Sequence, residues 1–284
     1  MTGPVEIFEV GPRDGLQNEA RAIPAAEKIA LIDLLSKAGF RRIEVASFVS
    51  PRWVPQMADG AEVLAGIKRH DGVSYAALTP NLRGYENARD AVVDEVAIFA
   101  SASEGFSKAN LNATIAESLA RFEPLVAAAR ADDMPVRGYV SCVVECPFDG
   151  AVPPGDVARV VAALRAFGCY EVSLGDTIGR GLPEAVDAML GAVLGEMEAT
   201  ALAGHFHDTA GRALDNVDVA LGRGLRVFDA AVGGLGGCPY APGAAGNVAT
   251  EAVLAHLHAA GYETGLDAAV VDAAAEMARG MRAG

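Results

Sequence analysis

Short apolar runs rich in β-branched residues alternate with longer helix-like runs along the whole chain, and this alternation limits the fold more than any single motif does. The strand-like runs cover residues 5–10, 42–48, 74–78, 96–100, 136–143, 170–174, 201–207 and 227–232, about eight in number and spaced as strand–helix units. Helical patterns lie between them over residues 25–38, 114–131, 154–167 and 182–194, with Gly39, Gly168 and Gly195 placed to cap helix C-termini. Such repeats within 284 residues predict an α/β protein of the (β/α)8 TIM-barrel type, a doubly wound open sheet being the lesser alternative. A helix over residues 268–281 is left over; it is expected to cap the barrel or to build the contact of a homodimer or higher homo-oligomer. No linker, low-complexity segment or charge run marks a boundary, so residues 1–284 read as one TIM-barrel domain.

The balance of residue types sets further limits. With 51% hydrophobic and 21% charged residues the chain can bury a large core. A net charge of -14 argues against nucleic acid and anionic membranes as partners, since both need basic patches. No run approaches the roughly 18 apolar residues of a membrane span, and no signal-like segment precedes the first strand, so a cytoplasmic location is expected. Cys142, Cys146, Cys169 and Cys238 are too few for a disulfide framework; the first three read as reduced core residues.

Chemistry concentrates in Gly204-His205-Phe206-His207-Asp208-Thr209. On a strand, residues i and i+2 leave the same face, so His205 and His207 point together, either at one metal ion or as a hydrogen-bonded core pair. His256 and His258 have the same spacing, but on a helical pattern, where i and i+2 do not share a face. A barrel places reactive groups at the carboxyl ends of its strands. Arg13 and Asp14 follow the first strand, Glu44 lies on the second, Ser173 and Asp176 end the sixth, His205 and His207 end the seventh, and Cys238 and Asn247 follow the eighth. Asp14 offers a carboxylate and Asn247 a carbonyl oxygen; two nitrogens and two oxygens without a thiolate favour octahedral Mg or Mn over structural zinc. Each residue alone also has a plainer role, Asp14 and Asn247 as turn or capping residues and Arg13, Glu44 and Asp176 as ion-pair or acceptor groups. The glycine-rich run Gly233-Gly234-Leu235-Gly236-Gly237-Cys238-Pro239-Tyr240 lacks the pattern of a phosphate cradle and reads as a loop, with Cys238 either a proton-exchanging thiol or a buried one.

These segments, together with Val10-Gly11-Pro12-Arg13-Asp14-Gly15-Leu16-Gln17-Asn18-Glu19, Ser47-Phe48-Val49-Ser50-Pro51 and Ser173-Leu174-Gly175-Asp176-Thr177, resemble the 3-hydroxy-3-methylglutaryl-CoA (HMG-CoA) lyases from about Val5 to Gly265. The Arg-Asp-Gly and His-x-His elements are shared with the wider superfamily of barrel metallolyases and Claisen-type synthases; the Gly-Gly-Cys-Pro-Tyr run points to the lyases. The resemblance implies a divalent Mg or Mn held by Asp14, His205, His207 and Asn247. It further implies catalytic roles for Arg13 and Cys238, with Glu44 and Asp176 as supporting acidic residues; for the hydroxyl proton the candidate catalytic acceptors are His205 and Asp176, and the candidate substrate contacts are Arg13, Gln17 and Ser47. The implied reaction is cleavage of HMG-CoA to acetyl-CoA and acetoacetate, as in leucine degradation and ketone-body metabolism. The acyl-CoA tail needs local cations, and Arg52, Lys108 and Arg180 are expected in strand-to-helix loops. The alternatives are a lyase for a longer branched analogue, a Claisen-type synthase using a 2-oxo acid, and a non-catalytic metal-binding barrel.

Overall fold

The computed structural model describes residues 3–236 and 246–283. In chain order the elements are β1 (Glu6–Glu9), α1 (Ala25–Leu35), β2 (Arg42–Ser47), α2 (Gly60–Gly66), β3 (Ser74–Leu78), α3 (Leu82–Asp90), β4 (Glu95–Ser101), α4 (Glu104–Leu111), α5 (Ile115–Ala131) and β5 (Val136–Ser141). There follow β6 (Glu145–Cys146), β7 (Gly150–Ala151), α6 (Pro154–Phe167), β8 (Glu171–Asp176), α7 (Pro183–Val193), β9 (Leu202–Phe206), α8 (Ala213–Gly222), β10 (Val227–Ala230), α9 (Thr250–Ala259) and α10 (Ala268–Ala283). Among the described residues, β1, β2, β3, β4, β5, β8, β9 and β10 pair in parallel and close into a ring, with β10 returning to β1. The TIM barrel expected from the alternation is the observed fold.

Local chemistry accounts for the boundaries. Thr114 and Glu117 form a reciprocal capping box at the start of α5, each side chain accepting from the other's backbone N–H. Proline opens α6, and Gly168, at φ +91°, closes it in the left-handed conformation a side chain would resist. Gly39 is also left-handed, but it lies beyond the cap of α1 at Ser36. Gly195 does not take that role: α7 ends on Leu194 in the right-handed region, and the chain continues through tight turns, Gly195 N–H to Ala192 O and Glu196 N–H to Val193 O. The antiparallel hairpin β6–β7 and the helices α2, α3 and α4 add to the elements legible in the sequence. Lys108 accordingly sits on α4 and not in a loop.

The barrel interior toward its amino end is filled by paired charges instead of a purely aliphatic plug. Arg137 on β5 is 1% exposed and donates to Glu171 on β8 (2.6 Å) and through two nitrogens to Asp229 on β10 (2.7 and 3.2 Å). Arg42 on β2 pairs with Glu6 and Glu171. Both guanidinium groups lie over the Phe8 ring, 4.3 Å (Arg137) and 4.9 Å (Arg42) from its centre. Buried charge is tolerated here because every charge has a partner. Outside the ring, α10 packs on α1 and against Gly233, whose left-handed backbone (φ +68°) approaches Ala275 and Ala278. Among the described residues, no helix is long and apolar enough to cross a membrane.

Candidate active site and metal centre

After β1 the chain makes one wide helical turn over Gly11–Gly15, in which the N–H groups of Arg13, Asp14 and Gly15 all converge on Val10 O. The turn lifts two adjacent charged side chains over the mouth of the barrel. Arg13, 5% exposed, donates from Nε to Glu44 Oε2 (2.6 Å), pairs with the same carboxylate through Nη2 (2.5 Å), and donates from Nη1 to Asp14 Oδ1 (2.8 Å). Burial opposes the Arg13 charge, but Glu44 and then Asp14 outweigh it and hold the guanidinium protonated. On Glu44 burial wins, pushing its carboxyl up against the pull of Arg13. Its Oε1 is buried without a hydrogen-bond partner among the described residues. The register shift between Glu44 and Ala46 in the β2–β3 ladder marks a bulge on this strand, a device that re-aims side chains.

Across the mouth, His205 is the penultimate residue of β9 and His207 follows the strand. His205 Nδ1 is 3.1 Å from Asp229 Oδ2, and that carboxylate also accepts from Ser173 Oγ (2.7 Å) and from Arg137. Burial alone would raise Asp229, yet Arg137 and His205 hold it well below the usual carboxylate range. An ionised Asp229 can only accept, which assigns a proton to Nδ1, so that the neutral ring of His205 presents Nε2 as a lone pair. That lone pair faces His207 Nε2 at 3.3 Å and lies 3.9 Å from Asp14 Oδ2. Burial and then His205 push His207 down to about 4, whereas the hydrogen bond and charge of Asp229 lift His205 against burial. Asp14, His205 and His207 thus present ligand atoms within 4.8 Å of one another. Two imidazole nitrogens converging with a carboxylate that Arg13 and His205 keep ionised are a donor set suited to a divalent ion.

Asn247 is brought in by a bridge to His207 and by hydrogen bonds from Asp208 N to Gly246 O (2.7 Å) and Val248 N to Phe206 O (3.2 Å). Its Nδ2 donates to Asp14 Oδ2 (2.8 Å) and Leu235 O (3.3 Å). Ligation by its carbonyl oxygen therefore requires the amide to turn over. Gln17 donates to Asp14 Oδ1 (3.1 Å), beside Arg13. Ser47, at the end of β2, is buried, with its hydroxyl unpartnered among the described residues. Asp176 is buried at the end of β8, but its oxygens accept from the amides of its own loop, Arg180 (3.3 Å) and Gly181 (2.8 Å), and burial still pushes it up. Arg180 pairs with Glu145 (3.3 Å), and Arg52 is exposed after β2. His256 and His258 bind Asp218 and Thr264 separately, as their helical setting predicts. Cys238 lies outside the described residues.

Three residues of the site escape a reading of the sequence: Tyr139, Arg137 and Asp229. Tyr139 donates to Glu44 Oε2 (3.3 Å), meets the His205 ring edge-on at 6.3 Å, and lies under Arg13 (5.6 Å) and Arg137 (4.8 Å). The available signal was polar residues on otherwise apolar strands: Arg137 and Tyr139 alternate on β5, and Asp229 interrupts β10.

The ring of strands, with a His–His–Asp cluster and a fixed arginine at its carboxyl end, defines a (β/α)8 barrel protein that carries a candidate metal centre. The HMGL-like family profile matches residues 4–277, and the chain belongs to that family. A Pseudomonas aeruginosa relative named 3-hydroxy-3-isohexenylglutaryl-CoA/hydroxymethylglutaryl-CoA lyase is 57% identical over 270 residues, covering 95% of this chain and 90% of that protein. The hydroxymethylglutaryl-CoA lyase of Pseudomonas mevalonii is 55% identical over 263 residues, covering 93% and 87%. The crystal structure of the Brucella melitensis HMG-CoA lyase superposes with a TM-score of 0.98 at 60% identity, covering 99% of this chain and all of that one.

Proposed function

We propose that the chain is a carbon–carbon lyase that cleaves HMG-CoA to acetyl-CoA and acetoacetate. The observation that carries this reading is Arg13, a buried permanent cation whose Nη1 is 2.8 Å from the candidate metal ligand Asp14. In the cleavage the tertiary hydroxyl loses its proton as the C2–C3 bond breaks, and the electron pair passes to a thioester enolate that is then protonated at carbon. Asp14, His205, His207 and, once its amide turns, Asn247 would hold Mg or Mn. When bound, that ion supplies Lewis acidity to the substrate's oxygens.

The chain's own groups divide the remaining work. Arg13, clamped by Glu44, offers a fixed cation to the enolate oxygen. Of the two proton acceptors read from the sequence, His205 has Nδ1 committed to Asp229 and Nε2 to the ligand cluster. Asp176, whose oxygens accept from the amides of Arg180 and Gly181, is the other candidate acceptor of the hydroxyl proton. Cys238 is assigned the protonation of the enolate carbon on the strength of the Gly-Gly-Cys-Pro-Tyr run. Gln17 and Ser47 are proposed substrate contacts, and Arg52, Lys108 and Arg180 cations for the CoA phosphates.

The test is turnover of HMG-CoA by metal-stripped protein with and without added Mg or Mn, detecting acetyl-CoA and acetoacetate separately. Both products, formed only with metal, are expected; their absence under reducing conditions would refute the assignment. The name of the Pseudomonas aeruginosa relative favours a second reading, a lyase that also accepts a longer branch at C3. Comparing kcat/KM for the methyl and isohexenyl substrates separates the two readings.

A further inference from the structure

At the carboxyl end of β1, Glu9 is fully buried and forms no ion pair among the described residues. Its Oε1 accepts from Gly11 N (2.8 Å) and Val232 N (3.0 Å), and its Oε2 accepts from Thr250 Oγ1 (2.6 Å). These partners belong to three separate segments. Gly11 opens the turn that carries Arg13 and Asp14; Val232 stands at the root of the run that leads to Cys238; Thr250 begins α9, three residues after Asn247. The approach is close enough that a Cβ on Gly11 would lie 2.5 Å from Glu9 Oε1. On the solvent side the same segments meet again, Asn247 Nδ2 reaching both Asp14 Oδ2 and Leu235 O.

We propose that Glu9 is a positioning residue for the cleavage: through Gly11, Val232 and Thr250 it sets the spacing of Arg13, Asp14 and Asn247 from beneath. The proposal rests on the function assigned above. It requires the shape of the carboxyl group and not its charge. Burial pushes Glu9 up to about 7, against the hydrogen bonds from Thr250, Val232 and Gly11 that lower it, so the group holds a proton readily near neutrality. A glutamine can reproduce the pattern, its oxygen accepting both N–H groups and its amide donating to a turned Thr250 hydroxyl.

The experiment compares the wild type with Glu9→Gln, Glu9→Ala and Thr250→Val in three measurements: direct Mn2+ affinity, kcat and KM for HMG-CoA, and circular dichroism. Glu9→Gln should stay within about threefold of the wild type in each, whereas Glu9→Ala should lose about 10–100-fold in Mn2+ affinity and in kcat, with KM little changed. Thr250→Val, which leaves one of the three bonds unmade, should fall between them. A folded Glu9→Ala protein with wild-type Mn2+ affinity and kcat would overturn the proposal, as would a Glu9→Gln protein as impaired as Glu9→Ala. If Glu9→Ala does not fold, the decision passes to Thr250→Val, whose wild-type Mn2+ affinity would overturn it. A wild type that binds Mn2+ but cleaves nothing defeats the functional reading alone, because the Mn2+ affinities of the variants still decide the role of Glu9.

Discussion

Asp229 stands opposite His205 in the β9–β10 ladder, and its Oδ2 lies 3.1 Å from His205 Nδ1. The backbone register therefore does what a designed hydrogen bond would do, since strand pairing places the carboxylate against the ring. Asp229→Asn keeps the shape but loses the charge that fixes the tautomer. Metal affinity is expected to fall about 10–100-fold, read by Mn2+ titration of the folded variant. Unchanged affinity would mean that the tautomer is fixed by something else.

His207→Ala removes one of the two facing nitrogens. The expected outcome is loss of Mn2+ binding together with turnover. A variant that still binds the ion as tightly as the wild type would remove His207 from the ligand set.

Cys238→Ala should separate binding from chemistry. Mn2+ and substrate affinity should persist while kcat falls at least about a hundredfold, the usual scale for a lost acid–base group. Turnover close to wild type would show that the enolate is protonated by another group.

Arg137→Met leaves Asp229 and Glu171 buried without the cation between them. Stripping one partner from such a cluster costs about 3–5 kcal/mol, and the denaturation midpoint of the metal-free protein should drop accordingly. A midpoint within experimental error of the wild type would show that the barrel floor does not depend on this charge.

Glu9 also predicts a pH dependence. Its carboxyl group binds a proton more tightly in the folded state, about 7 against the ordinary 4.5, because burial, aided by nearby Glu251, outweighs its hydrogen bonds. The stabilising contribution is complete below about pH 4.5 and is lost as pH rises through 7. His207, held down at about 4 from 6.5, runs the other way: its contribution is complete above 6.5 and is lost as pH falls toward 4. The two slopes oppose each other over much of this range, so the wild type should be compared with Glu9→Gln. Relative to that variant it should lose about 3 kcal/mol between pH 4.5 and 7. A pH-independent difference would contradict the raised affinity.

The eight barrel strands were legible in the sequence because each is an apolar run of strand length separated from the next by a helical pattern. The hidden helices lack a clear apolar period: α2, Gly60–Gly66, is only seven residues long and bounded by glycines, α3, Leu82–Asp90, is dominated by charged and amide side chains, and α4 rests on the Ser103 cap, whose hydroxyl accepts from Phe106 N. At the site, Asp14, His205 and His207 were found because strand periodicity and chain order bring them to one rim. Asn247 lies at the same rim, though with its amide turned nitrogen-first toward Asp14. Asp229, Tyr139 and Glu9 were not found, since their partners depend on the register between strands, which no local pattern encodes. Gly15 shows the same limit: a Cβ there would come within 2.6 Å of Leu235 Cβ, a contact between residues 220 positions apart.

The closing of β10 onto β1 gives the molecule a built-in order of events. Asp14 emerges from the ribosome early, while His205, His207 and Asn247 follow only after most of the chain has been made, so the cluster cannot exist on a nascent fragment. Long-range pairings of this kind form late and slowly. A divalent ion held at Asp14, His205 and His207 would then act as a seal on a finished ring, joining the turn after its first strand to β9, and would give no shelter to incomplete chains.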